Sequence, residues 1–253
     1  MIKRAYSSTK SFLASLLFPR VCIGCGREGR WICGECLKTI DIIKQPFCPE
    51  CRQPTNTGEF CDDCKDNFKL DGIFICANFD EGILKEAIHQ FKYNHITDIG
   101  GFLGRIMAGK LKSVLSMKYE VLRESDLSFN LIVPVPLHKK RLRQRGFNQA
   151  EILSRQLSRI GANYHELVKP ILAKNVLVRK KYTISQAELD REQRLDNLKD
   201  VFVWNGDGDF LRGKNILLVD DVTTTGATLE ECAKMLKQNG AKSVWGIVLA
   251  KGK

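Results

Sequence analysis

From residue 72 onward, apolar residues recur along this chain in two alternating rhythms. Short unbroken apolar runs, such as Ile73-Phe-Ile-Cys-Ala77 and Ile216-Leu-Leu-Val219, have the pattern of strands buried on both faces. They predict strands at 72–79, 130–135, 200–204, 214–219 and 243–250. Among these lie segments whose apolar positions fall three and four residues apart, which predicts amphipathic helices at 82–92, 101–117, 147–160 and 227–239. Leu84, Ala87, Ile88 and Phe91 form the stripe of the first helix, and Ala150, Leu153, Leu157 and Ile160 that of the third. The alternation implies an α/β fold, a mostly parallel sheet with helices on both faces. Ligands of such folds bind beyond the carboxyl ends of the strands, so functional residues are expected just after each strand.

The front of the chain has a different texture. Eight of the ten cysteines form four consecutive Cys-x-x-Cys pairs, Cys22/Cys25, Cys33/Cys36, Cys48/Cys51 and Cys61/Cys64. Each pair can present two thiolates to one tetrahedral metal, so four pairs make two four-thiolate sites. Four tandem pairs predict two structural Zn2+ ions in a small double zinc-ribbon module, since four thiolates leave no open position for a substrate. Sequential pairing closes the shorter loops and is favoured on entropy, while spacing also permits an interleaved cross-brace. The cysteine density ends near residue 70. That divides the chain into 1–70, an N-terminal helix and double ribbon, and 71–253, the α/β body. Cys76, in a strand pattern, and Cys232, on a helical face with Leu229 and Leu236, are expected to be core thiols.

Composition narrows the class. The 253 residues are 43% hydrophobic and 27% charged, ordinary for a soluble globular protein and unlike a disordered tail or a fibre. No apolar run approaches the ~20 residues of a membrane span, so no transmembrane segment is expected. Lys3 and Arg4 precede an apolar stretch, Phe12 to Phe18, as in a secretory signal, but Ser15 breaks it and Pro19-Arg20 ends it. A cytoplasmic location is expected, with this stretch packing on the body as a helix. The formal charge is +11, and two zinc ions held by eight thiolates would bring it to about +7. The chain remains basic, which favours phosphate-bearing partners.

Two segments carry candidate chemistry. In Val219-Asp-Asp-Val-Thr-Thr-Thr-Gly-Ala-Thr228 a buried strand ends in the paired carboxylates Asp220 and Asp221, and a hydroxyl-rich loop then opens a helix. Backbone N–H groups at the helix start, including that of Ala227, the hydroxyls of Thr223, Thr224, Thr225 and Thr228, and the close approach allowed by Gly226 predict a phosphate cradle. The acids would repel a phosphate unless they held something else, such as ribose hydroxyls and a Mg2+ bridging to a diphosphate. After the strand ending at Val135, Lys139, Lys140, Arg141, Arg143 and Arg145 place five cations within seven residues, expected as a loop facing a diphosphate or DNA phosphates. Phe147 is a candidate for base stacking. His138 is expected to anchor the loop, and His89 to lie on a helix surface.

Residues 219–228 resemble the 5-phosphoribosyl diphosphate (PRPP) loop of type I phosphoribosyltransferases. In that family the acid pair contacts the ribose hydroxyls and the Thr-Thr-Gly-x-Thr segment holds the 5′-phosphate. Thr223 departs from the usual aliphatic residue. Together with Pro134-Val-Pro-Leu-His-Lys-Lys-Arg-Leu-Arg-Gln-Arg-Gly-Phe-Asn-Gln-Ala150, the four cysteine pairs and Ser185-Gln…Arg194-Leu-Asp-Asn-Leu198, the whole chain resembles the ComF family, associated with natural competence. The resemblance implies a double zinc ribbon ahead of a phosphoribosyltransferase-like body, with Asp220 and Asp221 as catalytic residues. It also implies PRPP with Mg2+, single-stranded DNA and a helicase-like partner at the inner face of the cytoplasmic membrane.

If the chain is an enzyme it is a pentosyl-type glycosyltransferase. Catalysis would rest on positioning and charge stabilisation, with the basic segment from Arg179 to Leu198 as a lid. An intact donor loop also suits a catalytically silent module that binds single-stranded DNA and docks a partner. A glutamine-dependent amidophosphoribosyltransferase is not expected, because the first cysteine, Cys22, belongs to a knuckle.

Overall fold

The computed structural model describes residues 20–79, 82–94, 96–121, 128–161, 170–182 and 201–252. The apolar stretch Phe12–Phe18 and most of the expected lid, 183–198, lie outside the described residues.

Among the described residues six strands form the main sheet: β1 (Gly72–Asn78), β2 (Leu131–Pro134), β3 (Ile171–Leu172), β6 (Asn215–Val219), β7 (Val222–Thr223) and β8 (Ser243–Lys251). Their order is β1-β8-β6-β2-β3, with β7 also on β8, and every pairing is parallel. The sequence expectation of a strand at 200–204 in this sheet needs correction. Phe202–Trp204 is β5, and it pairs antiparallel with β4 (Leu177–Arg179) in a separate two-stranded ribbon.

Both faces of the sheet are covered, as all-apolar strands require. Along β6, Leu217 and Val219 point into one core and Ile216 and Leu218 into the other, the two-residue period of a pleated strand. The first core is closed by helices α2 (Ile83–Tyr93), α3 (Ile99–Val121) and α5 (Gln149–Gly161), through Phe91, Leu103, Met107 and Leu153. The second is closed largely by α6 (Ala227–Gln238), through Leu229, Cys232 and Leu236. Cys76 and Cys232 are fully buried, and burial pushes the Cys76 thiol up to about 12 and Cys232 well above its usual range. Both are inert core thiols.

The cysteine-rich front is not an appendage. Its first part, with the short helix α1 (Gly34–Lys38), contributes Cys22, Ile32, Cys36 and Ile40 to the first core, and its second part contributes Cys48, Phe60 and Leu70 to the second. Between them the chain runs antiparallel along the open side of β1. The N–H of Ile43 donates to the carbonyl of Cys76 at 3.0 Å, and that of Asn78 to the carbonyl of Asp41 at 3.1 Å. Further along, the N–H of Ile73 donates to Gly58 at 2.9 Å. An otherwise bare sheet edge is thereby covered. Among the described residues no helix is long and apolar enough to cross a membrane.

Candidate functional site

The acid pair stands where β6 runs out. The N–H of Asp220 still donates to Ile247 of β8 at 3.1 Å, and the N–H of Asp221 turns inward to the Asp220 carboxylate at 2.8 Å. The loop is then clamped to β8 again: Leu249 donates to the carbonyl of Asp221 at 2.9 Å, and Gly252 to that of Thr223 at 2.7 Å. Gly226 ends the loop at φ 82°, a left-handed conformation that a side chain disfavours, and caps α6.

Two of the loop hydroxyls also act within the loop, accepting backbone N–H groups. Thr223 is buried, and its Oγ1 accepts the N–H of Gly226 at 3.1 Å, while Thr225 Oγ1 accepts the N–H of Ala227 at 3.3 Å. Thr223 therefore has a physical role at the position where it departs from the usual pattern: it shapes the turn. Thr224 and Thr228 are half-buried at the mouth of the loop.

Because β2 lies beside β6, with the N–H of Val135 donating to Val219 at 2.9 Å, the basic segment begins at the same end of the sheet as the acids. It is not a loop. Residues Lys139–Arg145 form helix α4, because His138 Nδ1 accepts the Lys140 N–H at 3.2 Å and Gly146, at φ 72°, lets its N–H close back on Leu142. His138 is thus the anchor expected, now as a helix cap. Phe147 does not project for base stacking. It packs half-buried against Phe91, ring centres 5.5 Å apart, on the edge of the first core. An exposed aromatic at α4 is Tyr182, with Lys140 Nζ 4.5 Å and the Arg141 guanidinium 6.0 Å from its ring centre.

Two cations act on the acids, Lys92 from the helix expected at 82–92 and Arg179 from the start of the expected lid, neither of which the sequence reading linked to them. Lys92, in the last turn of α2, places Nζ 2.7 Å from Asp221 Oδ1, with both side chains largely buried. Arg179, buried at the end of β4, lies over Phe202, and its charge acts on Asp220. Burial, and next the neighbouring Asp221 carboxylate, raise the Asp220 carboxyl to about 7, while Lys92 and Arg179 oppose that rise. His89 is exposed on α2 beside Tyr93, as expected, and Tyr93 in turn stacks under Arg145 at 5.2 Å.

The cysteines gather sequentially, Cys22, Cys25, Cys33 and Cys36 in one cluster and Cys48, Cys51, Cys61 and Cys64 in the other, which removes the interleaved alternative. Within each cluster all four Sγ atoms lie within 4.8 Å of one another, and Cys25–Cys33 and Cys51–Cys61 are 3.6 and 3.5 Å apart. Tetrahedral zinc at about 2.3 Å from each sulfur sets such edges near ~3.8 Å, so both cages fit the ion. At the first cysteine of each cage the knuckle backbone also favours thiolate. Burial acts to raise Cys22 and Cys48, but N–H groups of Cys33, Cys25 and Gly24 outweigh it and bring Cys22 to about 6. Those of Cys51, Cys61 and Glu50 bring Cys48 to about 7.

Comparison with known proteins agrees with this layout. Residues 13–65 match the double zinc ribbon domain, and residues 143–253 match the phosphoribosyl transferase domain. The chain is 32% identical over 228 residues to competence protein F of Haemophilus influenzae, covering 87% of this chain and 90% of that one. The chain belongs to the ComF family. Other ComF relatives are competence protein ComFC of Bacillus subtilis, 25% identical over 83% of this chain and 79% of its own, and the DNA utilization protein YhgH of Escherichia coli. The last is 29% identical over 90% of this chain and 96% of its own.

In this ComF family member, Asp220 through Thr228 and Lys139 through Arg145 are adjacent at one end of the sheet, and the eight cysteines form two cages. Lys92 escaped the sequence reading because it follows the buried Phe91 on the flank of an amphipathic stripe, where a lysine ordinarily faces water. Its signal was tertiary: only the placement of α2 beside Asp221 reveals it.

Proposed function

We propose that this protein binds PRPP at residues 220–228 and acts as a phosphoribosyltransferase-like component of DNA uptake. The carrying observation is the acid pair, Asp221 buried and Asp220 half-buried, which shares the carboxyl end of the sheet with a glycine-started helix and a basic helix. The 5′-phosphate would lie over Thr224, Thr225, Gly226, Ala227 and Thr228, and the ribose hydroxyls would donate to Asp220 and Asp221. The diphosphate would face Lys139, Lys140, Arg141, Arg143 and Arg145 of α4. Asp220 Oδ1 accepts the Asp221 N–H and Asp221 Oδ1 pairs with Lys92, so each acid has one oxygen engaged before a donor arrives. Mg2+ would arrive with the donor and neutralise its diphosphate oxygens. Departure of diphosphate from C1 leaves an oxocarbenium-like sugar, for which this chain supplies position and charge and no covalent nucleophile.

The names of the relatives, two competence proteins and a DNA utilization protein, support a role in handling DNA; single-stranded DNA as ligand and a helicase-like partner at the cytoplasmic face of the membrane complete the proposal. The test is calorimetric titration of zinc-loaded protein with PRPP, with and without Mg2+. Magnesium-dependent micromolar binding that Asp221→Asn abolishes is expected; no binding at millimolar PRPP sinks the donor reading.

A second reading rests on a specific observation. Tyr182 is 47% exposed amid the cations of α4, an arrangement suited to stacking a base while Lys139, Lys140 and Arg141 hold phosphates. On this reading the fold is a catalytically silent single-stranded DNA module. Salt-sensitive DNA binding should then fall in the Lys139/Lys140/Arg141→Ala variant, and unchanged affinity removes α4 from DNA binding.

A further inference from the structure

We propose that Lys92 is a diphosphate-binding residue of the donor site, released from Asp221 when the sugar enters. This inference rests on the donor reading above. Lys92 Nζ and Asp221 Oδ1 are 2.7 Å apart, with side chains 19% and 8% exposed. Removing both charges from water costs more than an isolated surface pair could return. The acid has an obvious use, since ribose hydroxyls need its lone pairs. The cation then needs another anion. On PRPP the 2-hydroxyl sits on the carbon next to C1, and C1 bears the diphosphate. A lysine that touches the acid gripping the hydroxyls is therefore within a side-chain swing of the diphosphate oxygens.

The surroundings allow that exchange without moving backbone. Leu84, Ala87, Ile88 and Phe91 bury α2 in the first core, so the helix stays fixed while the four-carbon stem of Lys92 rotates. The next residue, Tyr93, carries Arg145 over its ring, which ties the same helix end to α4. Binding thus trades one ion pair for two contacts: the hydroxyls donate to Asp221, and Lys92 donates to the diphosphate.

The experiment compares three ligands, PRPP, ribose 5-phosphate and inorganic diphosphate, by calorimetry with Mg2+ on wild type, Lys92→Met and Lys92→Arg. Met keeps the length of the stem and deletes the charge. Expected is a roughly ten- to hundredfold loss of PRPP affinity in Lys92→Met, with a parallel loss for diphosphate. Ribose 5-phosphate binds as well as before or more tightly, since its acid is released, and Lys92→Arg keeps most PRPP affinity. If PRPP affinity is unchanged, or if ribose 5-phosphate weakens as much as PRPP, Lys92 only supports Asp221 and the proposal is overturned. Wild type that binds PRPP while the variant behaves so isolates this failure from that of the donor reading, in which wild type binds no PRPP. Should Lys92→Met not fold, Lys92→Gln carries the same comparison.

Discussion

Glu230, in the first turn of α6, accepts the backbone N–H of Leu70 at 3.0 Å, and the same carboxylate takes the N–H of Lys69 at 2.9 and 3.1 Å. A buried acid with its lone pairs filled this way is a stable joint. It fastens the exit of the second zinc ribbon to the turn that follows Gly226, whose carbonyl accepts the Glu230 N–H. Glu230→Ala would leave two N–H groups without their acceptor and is expected to cost about 2–4 kcal/mol in unfolding free energy. PRPP affinity should fall along with it, because the helix start is no longer held. Denaturant unfolding and titration of the same preparation check both. A variant as stable as wild type would mean that water replaces the carboxylate and the joint is dispensable.

The joint makes the two zinc sites unequal. The knuckle residues Pro49 and Glu50 line a small cleft with Thr225, Gly226 and Glu230, and the Lys251 ammonium donates to the Pro49 carbonyl. The first cluster packs instead toward α2 and α3, in the other core. Losing the second ion through Cys51→Ser should therefore weaken PRPP binding more than losing the first through Cys25→Ser, at matched zinc loss of one ion per chain. Metal content by emission spectroscopy and donor titration decide it. Equal losses would show that zinc only supports the fold as a whole. Removal of both ions by a chelator is expected to unfold the front of the chain, since each site contributes on the order of 10–16 kcal/mol of apparent binding energy.

Much of this was legible in the sequence, for reasons that can be named. The strand runs and helix stripes were visible because a sheet covered on both faces demands unbroken apolar strands, and β6 meets both cores. The cages were visible because knuckle spacing is itself the chemistry. The acid-and-threonine loop was visible because strand, acids and glycine are contiguous. What stayed hidden was non-local. Lys92 meets Asp221 across 129 positions, and Glu230 meets Leu70 across 160. No periodicity encodes such contacts. The expected basic loop became a helix because local caps, His138 and Gly146, outweighed the repulsion among its cations. The strand at 200–204 had the right pattern, but three residues of antiparallel pairing with Leu177–Arg179 placed it outside the main sheet.

Gly226 gives a backbone test of the cradle. A Cβ there would find room, its nearest neighbour being Ile73 Cδ1 at 3.7 Å, so the obstacle is the φ of 82° and not crowding. Gly226→Ala should cost about 1–2 kcal/mol in stability through that strain. Relief of the strain would rotate the N–H groups that Thr223 and Thr225 now hold, and PRPP affinity should drop by more than the stability loss suggests. Thermal unfolding with and without PRPP separates the two effects. An unchanged shift on adding PRPP would show that the turn is not part of the phosphate site.

Asp220 supplies the pH signature. Its carboxyl is raised from 3.8 to about 7 by burial and by Asp221, so the folded chain holds this proton more tightly than the unfolded chain does. The stability this contributes is complete below about pH 4 and is lost as pH rises through 7. Asp220→Asn cannot ionise, and its amide oxygen can still accept the Asp221 N–H. The variant should therefore gain on wild type as pH rises from 5 to 8, by on the order of 2–3 kcal/mol. Unfolding curves at pH 5, 6, 7 and 8 measure the difference, in which the titration of other groups cancels. A difference independent of pH would mean that Asp220 is already ionised at pH 5, and that Lys92 and Arg179 overcome the burial of the acid.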